Sequence, residues 1–461
     1  MKANLIYTLK YRKRFSKKML TGCYNWKTII SSGETDMSKF KESFKNPSYL
    51  QSSLTLLLFF ASWGVWWSFF QLWLTSESNG LGLSGSAVGT IFSANSLVTL
   101  IFMFIYGTLQ DKLYIKRTLL IVSAGIATLV GPFFIWVYGP LLKNNFNLGI
   151  LVGAVVLSAG FLSSVGIFEA VTERFSRLFD FEYGQARAWG SFGYAIVALL
   201  AGFLFVKNSN LNFWAGSFFG LLLLLNLLLW KPKAEKIASK EFEDKQAESS
   251  SIPSLKEMFG LLRLPQLWAI IIFIVFTWTF YNVFDQQMFP GFYTSLFSTS
   301  AAGEKMYGTL NAIQVFCEAI MLGVVPIIMR KIGVRNTLLC GVTIMCVRIG
   351  LCGFASSPTA VSCIKMLHAL EVPMFILPMF RYFTLHFDTK LSATLYMIGF
   401  QIAAQVGQVI LSTPLGILRD KVGYQSTFRI ISMIVLVAGV YAFLTLKKDD
   451  QDVQGDPFIR G

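Results

Sequence analysis

Charged residues are scarce in this chain. Asp, Glu, Lys and Arg make up 14% of its 461 residues, well below the roughly 25% of an average soluble domain. Hydrophobic residues make up 54% and include 43 phenylalanines. A water-soluble core of this length cannot bury so much apolar surface, so the composition favours a lipid bilayer as the solvent for most of the chain.

Histidines and cysteines are also few, and they are not grouped. The chain has two His and six Cys, with no CxxC pair, no phosphate-binding loop and no nucleophile beside a base. These absences argue against an enzyme, a metal site and a disulfide framework, and no cofactor is expected. Five cysteines fall inside predicted helices, where a small, soft hydrophobic residue is ordinary. They are Cys317, Cys340, Cys346, Cys352 and Cys363.

Long apolar runs recur along the chain and predict an all-α integral membrane protein of about twelve transmembrane helices. A helix needs about 20 apolar residues to cross the hydrocarbon core, and it satisfies its own backbone hydrogen bonds there. The predicted spans cover residues 53–75, 86–109, 117–141, 148–174, 187–207, 211–230, 267–290, 305–329, 336–355, 359–384, 391–418 and 425–446.

The basic residues predict the topology, because loops rich in Lys and Arg stay in the cytoplasm. Such loops alternate with loops that have no basic residue, such as 75–86 and 356–359. The loop with Arg419 and Lys421 is the exception. We therefore expect both termini in the cytoplasm of a bacterial cell and the spans in its inner membrane. Since topology accounts for the positive charge, no nucleic-acid partner is expected.

A charged linker divides the spans into six and six. Residues 231–257 carry six Lys and six acidic residues, a composition typical of a solvated linker. The segment at 111–120 also resembles the segment at 330–339. Two pseudo-symmetric six-helix bundles are typical of the major facilitator superfamily. The predicted parts are a tail 1–47, a bundle 48–230, a linker 231–262, a bundle 263–447 and a tail 448–461.

The first 36 residues are basic and polar, without the apolar core of a signal peptide. Met37 is a second plausible start. Residues 1–36 are therefore either an artefact of an upstream start site or a tail at the membrane surface.

Eight ionisable residues fall in or at the ends of the predicted spans, where each costs about 2.5–3.5 kcal/mol to insert and needs a partner, a cavity or a function. Lys365, His368 and Glu371 follow one another at intervals of three and lie along one helix. Such a stripe suits proton handling, and a structural ion-pair network is the alternative. The other five are Glu169, Arg187, Asp285, Glu318 and Arg348.

Glu169 and Arg187 face each other across a predicted cytoplasmic loop. A carboxylate and a guanidinium fork suit several sugar hydroxyls at once, and a loop-end salt bridge is the alternative. Among the aromatic residues, Trp67 and Tyr194 are the ones we expect at apolar sugar faces. We expect His386, beside a polar loop, to be solvated.

Several segments resemble the oligosaccharide:proton symporter family, the lactose permease group of the major facilitators, over about residues 45–447. The most specific segments are FEYGQARAWGSFGYA (181–195), YNVFDQQ (281–287), Arg348 and KMLHALEVP (365–373). Within the family, RAWGSFGY and GFQIA (399–403) resemble the branch that transports sucrose.

This resemblance implies which residues bind the sugar. The principal ligands would be Glu169 and Arg187, and His368 would link the sugar to the proton site. The other implied substrate-binding residues are Trp67, Ser191, Tyr194 and Glu318.

The resemblance also implies the proton site, with the proton as coupling ion. Glu371 would carry the proton, Arg348 would promote its release and Tyr281 would hydrogen-bond near His368. Asp285 and Lys365 would form a structural ion pair.

Some positions depart from lactose permease. Tyr194 replaces a tryptophan, and Val315 stands where that protein has a glutamate, one turn from Glu318. An Asp–Lys pair is replaced on both sides, by Asn282 and Ala404, which avoids an unpaired charge. These changes argue against a galactoside-specific site.

The predicted function is therefore import of a disaccharide, sucrose or a related glucoside, by proton symport with alternating access. A galactoside or raffinose-type symporter is the first alternative, and a membrane sugar sensor that does not transport is the second. The expected partners are the sugar and membrane lipid, and the expected state is a monomer.

Overall fold

The computed structural model describes residues 43–113, 116–235, 261–387, 392–451 and 453. The predicted N-terminal tail up to residue 42, Cys23 and most of the predicted linker lie outside these ranges. The described residues form helices joined by short turns. The exact domain boundaries stay a prediction.

Ten helices in the described residues are long and apolar enough to cross a membrane, and a pair bent by 50° forms one more span. One of the ten has 52 residues, which at 1.5 Å per residue is about 78 Å, far more than the hydrocarbon core. It breaks at Gly423, whose φ of 79° is not helical. Counting that helix as two gives the twelve spans that the sequence predicts.

The helices are numbered in chain order. They are α1 Pro47–Thr75, α2 Gly85–Gln110, α3 Thr118–Thr128 with Val130–Asn144, α4 Phe146–Leu178, α5 Tyr183–Lys207, α6 Asn210–Leu229, α7 Pro265–Ser295, α8 Ser300–Ile332, α9 Val334–Cys352, α10 Pro358–His386, α11 394–422 and α12 424–445.

The sequence explains both the helix starts and the surface. Asn46 caps α1, accepting a hydrogen bond from the Ser48 amide at 2.9 Å, and Pro47 occupies the first helical position, where its missing N–H costs nothing. Large apolar side chains such as Trp136 and Phe354 are mostly exposed. A lipid environment accommodates them, since lipid tails are as apolar as these side chains.

The N-terminal bundle contains α1–α6 and the C-terminal bundle contains α7–α12. In each bundle, an arginine at the start of the third helix donates a hydrogen bond to a backbone carbonyl at the end of the last helix. Arg117, just before α3, donates to the Trp230 carbonyl beyond α6 at 3.0 Å. Arg335, in the first turn of α9, donates to the Phe443 carbonyl of α12 and lies over the Phe443 ring. The two segments that resemble each other in sequence therefore have corresponding roles.

We call the face that carries residues 76–84, 296–299 and 419–423 the outer end, because the predicted topology places these loops outside the cytoplasm. Hydrogen bonds join the bundles there. Asn79 donates to the buried Glu304 carboxylate at 3.0 Å, and the amides at the start of α2 donate to the Asp420 carboxylate at 2.7 and 2.8 Å. A carboxylate is favoured at a helix N-terminus by the aligned backbone dipoles.

Glycines allow the two bundles to approach closely at the outer end. A Cβ on Gly308 of α8 would lie 2.7 Å from the Gly202 α-carbon of α5, and a Cβ on Gly89 of α2 would clash with the Ser412 carbonyl of α11. The Ser93 hydroxyl, one turn after Gly89, lies 3.2 Å from a hydroxyl of α11. The contact is therefore made by backbone and small polar side chains.

The expectation for His386 is wrong. Its side chain lies at the end of α10, is only 1% exposed and packs against Tyr382, with ring centroids 4.4 Å apart. The last turn of α10, in which Phe383 and Leu385 are also buried, packs inside the bundle although a polar loop follows in sequence.

We predict that Gly202→Val separates the outer ends of the bundles, because a Cβ there would lie 3.0 Å from the Gly308 α-carbon. The distance between spin labels on Ser78→Cys and Ser298→Cys, in a background with the other cysteines replaced, should shift to larger values. Gly125→Val is the matched control, since no atom lies within 4 Å of a Cβ at that position. Equal distances in the two variants would contradict the prediction.

Candidate functional site

A cavity of about 280 Å³ lies between the two bundles. Helices α1, α2 and α5 line one side, and α7, α8 and α10 line the other. Eight of the residues predicted for the site line this cavity. They are Trp67, Arg187, Ser191, Tyr194, Tyr281, Asp285, Glu318 and His368.

Glu169 and Arg187 form an ion pair at the N-terminal side of the cavity. The Arg187 Nε lies 2.6 Å from a Glu169 oxygen, and its Nη1 donates to Ser191 at 3.3 Å. The guanidinium also lies over the Phe60 ring, 4.3 Å from its centroid. About a third of each charged side chain is exposed, so both retain hydrogen-bonding capacity for a polar ligand.

Aromatic rings form the wall between this pair and the outer end. Trp67 stacks on Phe70 with ring centroids 5.4 Å apart. Tyr194 lies against Gly64, where a Cβ would be only 2.6 Å from the tyrosine ring. The absence of a side chain at Gly64 therefore leaves room for the Tyr194 ring, and both Trp67 and Tyr194 line the cavity.

A group of four charges lies behind the C-terminal side of the cavity. Arg348 is 0% exposed; it donates from Nη2 to Glu371 at 3.1 Å and from Nη1 to Asp285 at 3.1 Å. The Lys365 ammonium lies 2.7 Å from the same Asp285 oxygen. Two cations thus face two carboxylates, which is the condition for burying charges at acceptable cost. Asp285 lies in a π-helical turn, Val283–Met288, a local irregularity that often occurs at functional sites.

His368 connects this group to the cavity. Its Nε2 lies 2.7 Å from the Tyr281 hydroxyl and 3.3 Å from Asp285, and its Nδ1 lies 3.5 Å from Glu318. The structure therefore brings together a row of titratable groups from the cavity to the buried Glu371. Such a row is suited to moving a proton between a bound ligand and a buried carboxyl.

Sequence reasoning missed Gln314. This buried side chain donates to Glu318 at 2.8 Å and orients its carboxylate. It lines the cavity with Val315 and three other amides, Gln71, Gln286 and Asn311. The sequence does contain a signal for this residue, because an amide within an apolar span is costly. An unpaired buried amide costs about 1–3 kcal/mol.

Comparisons with known proteins identify the family of the chain. A family model described as LacY proton/sugar symporter matches residues 41–456. The chain is 41% identical to the sucrose permease of Escherichia coli, covering 90% of this chain and 97% of that protein. It is 38% identical to the raffinose permease of Escherichia coli, with 87% and 93% covered.

The fold is also similar to that of the solved nucleoside transporter NupG. The TM-score is 0.72, and the match covers 87% of this chain and 99% of that one. At 14% sequence identity, this likeness shows the major facilitator fold alone.

We predict that Asp285→Asn destabilises the protein strongly, because Lys365 then loses the carboxylate that it contacts and Arg348 keeps only Glu371. An uncompensated buried charge costs on the order of 3–5 kcal/mol. Adding Lys365→Met should restore most of the stability, since Arg348 keeps Glu371. Thermal unfolding of the purified protein in detergent measures both effects. A double variant no more stable than Asp285→Asn alone would reject this account of the charges.

Proposed function

The chain belongs to the LacY proton/sugar symporter family, and we propose that its substrate is a disaccharide, sucrose or a related glucoside. The protein is a multi-pass membrane transporter that moves a sugar together with a proton, and it is not an enzyme.

The observation that carries the proposal is the position of two polar groups on opposite sides of one cavity. Arg187, which is paired with the partly exposed Glu169, lines the cavity from the N-terminal bundle. Glu318 and His368 face it from the C-terminal bundle. A sugar held by both would bridge the bundles, so its binding would favour the rocking motion that exposes the site on alternate sides.

Proton coupling would use the buried charges. Protonation of Glu371 would remove its negative charge and weaken its ion pair with Arg348. Arg348 already contacts Asp285 as well. His368, between Glu318 and Asp285, would transmit the presence of the sugar to this group. The proton is then the coupling ion, and the proposal needs no other cofactor.

The identity of the sugar rests on two kinds of support. The sucrose permease relative covers nearly the whole chain, and Tyr194 and Val315 line the cavity at the positions where the resemblance predicts departures from a galactoside site. A raffinose-type or galactoside symporter is the second candidate, because the raffinose permease relative is nearly as similar.

We also propose the setting in which the carrier works. It would lie as a monomer in a bacterial inner membrane, in contact with lipid and with both termini in the cytoplasm. In that orientation the contacts between the bundles at the outer end close the cavity towards the outside.

The proposal is tested by adding sucrose, lactose, melibiose, raffinose and maltose in turn to vesicles that contain the protein. We predict that sucrose makes the external medium alkaline, because each imported sugar takes a proton with it. Arg187→Lys is the control, since it keeps the charge but loses the guanidinium fork and should give no signal. Alkalinisation by lactose, melibiose or raffinose but not by sucrose would select the second candidate, and no response to any sugar would contradict proton symport.

We predict that Glu371→Gln retains sugar exchange but loses accumulation driven by a proton gradient. Glutamine resembles the protonated acid in shape and charge, so the carrier can move with sugar bound but cannot release a proton. Exchange and accumulation of radiolabelled sugar measure the two activities. Glu173→Gln, at a mostly exposed ion pair with Arg177, should leave both unchanged. Accumulation at the normal level in Glu371→Gln would assign the proton to another group.

A further inference from the structure

The cavity continues beyond the residues assigned so far. Along α1 it is lined by Phe60, Trp63, Trp67 and Gln71. The α-carbons of the first and last of these are about 16 Å apart at 1.5 Å per residue, which is longer than a single hexose ring. The Glu169–Arg187 pair lies near Phe60, so it reaches only one end of the cavity.

Two amides, Gln71 and Asn311, line the other end. Gln71 belongs to α1, one turn beyond Trp67, and Asn311 belongs to α8, two turns before Glu318. The two side chains come from different bundles, and they are only 3% and 8% exposed.

Gln71 lacks a hydrogen-bond partner that a buried amide normally has. The Gln71 carbonyl oxygen is buried without a partner, although its NH₂ donates to Thr75 at 3.3 Å. Since more than nine in ten buried polar groups are satisfied in native proteins, the unpartnered Gln71 oxygen, in a cavity that Asn311 also lines, points to a ligand that supplies the missing bond.

We propose that Gln71 and Asn311 form a subsite for the second sugar ring, the ring that Glu169 and Arg187 do not hold. This inference rests on the proposed disaccharide function. An amide offers one acceptor and two donor hydrogens, so it matches hydroxyl groups, which both donate and accept. A neutral amide also binds a hydroxyl without bringing another charge into the membrane.

The position of the subsite gives the second ring a role in closure. Gln71 lies beside Gly291 of α7, where a Cβ would be 3.1 Å from its amide nitrogen, and Asn311 follows the Gly202–Gly308 contact by one turn of α8. A ring bound to both amides would therefore join the bundles directly below the outer end. A single-ring sugar would leave this link unmade.

The test compares a disaccharide with a single-ring sugar on the full-length protein in lipid nanodiscs. Calorimetry of purified wild type first identifies which of sucrose, maltose, lactose and melibiose binds most tightly. The affinities for that disaccharide and for its methyl monoglycoside, the methyl glycoside of the ring held by Arg187, are then measured on Gln71→Met and Asn311→Leu.

We expect each variant to weaken disaccharide binding about tenfold, which corresponds to about 1.4 kcal/mol, and to change methyl glycoside binding less than twofold. Asn212→Leu is the matched control, because Asn212 is equally buried and unpartnered but does not line the cavity. It should change neither affinity. Gln71→Ala and Asn311→Ala replace any variant that does not purify as a folded protein.

The outcomes separate the two proposals. Equal loss of affinity for both sugars, or no loss for the disaccharide, would overturn the second-ring subsite while leaving disaccharide transport intact. Failure of wild type to bind any of the disaccharides would overturn the proposed function and the subsite with it.

Discussion

The need to balance a buried guanidinium governs the C-terminal bundle. Arg348 is completely enclosed, and it contacts Asp285 of α7 and Glu371 of α10 from its place on α9. Moving one of these helices away would leave a charge without a counter-charge in an apolar interior, at a cost of several kcal/mol. The packing of three helices and the position of His368 therefore depend on one set of ion pairs.

The two bundles handle charge differently. In the N-terminal bundle the Glu169–Arg187 pair is partly exposed, and Arg187 lines the cavity, so the pair can exchange its own contacts for those of a ligand at little net cost. In the C-terminal bundle the Arg348–Glu371 pair is shielded from the cavity, and its energy depends on protonation. One bundle is thus suited to binding a neutral polar molecule and the other to responding to a proton.

Structural features that carry a large local energetic cost could be predicted from the sequence. Features that depend on how the helices are oriented could not. Twelve spans follow from apolar runs, and the charged site residues stand out because each is expensive in a membrane. The burial of His386, the 50° bend in α3 and the contact of Gln314 with Glu318 depend on how helices rotate and pack. Residue spacing does not determine how helices rotate and pack. The amide of Gln314 does not mark a site by itself either, because amide side chains also occur at ordinary helix contacts.

The contact between α2 and α11 has a thermodynamic consequence. It is built from glycine backbone at Gly89 and hydroxyls at Ser93, so separating these helices exposes little hydrocarbon to water. Heat-capacity change scales with exposed apolar area and has the opposite sign for polar area. Opening this contact should therefore have a small heat-capacity change, and its equilibrium constant should follow a nearly straight van't Hoff line over physiological temperatures.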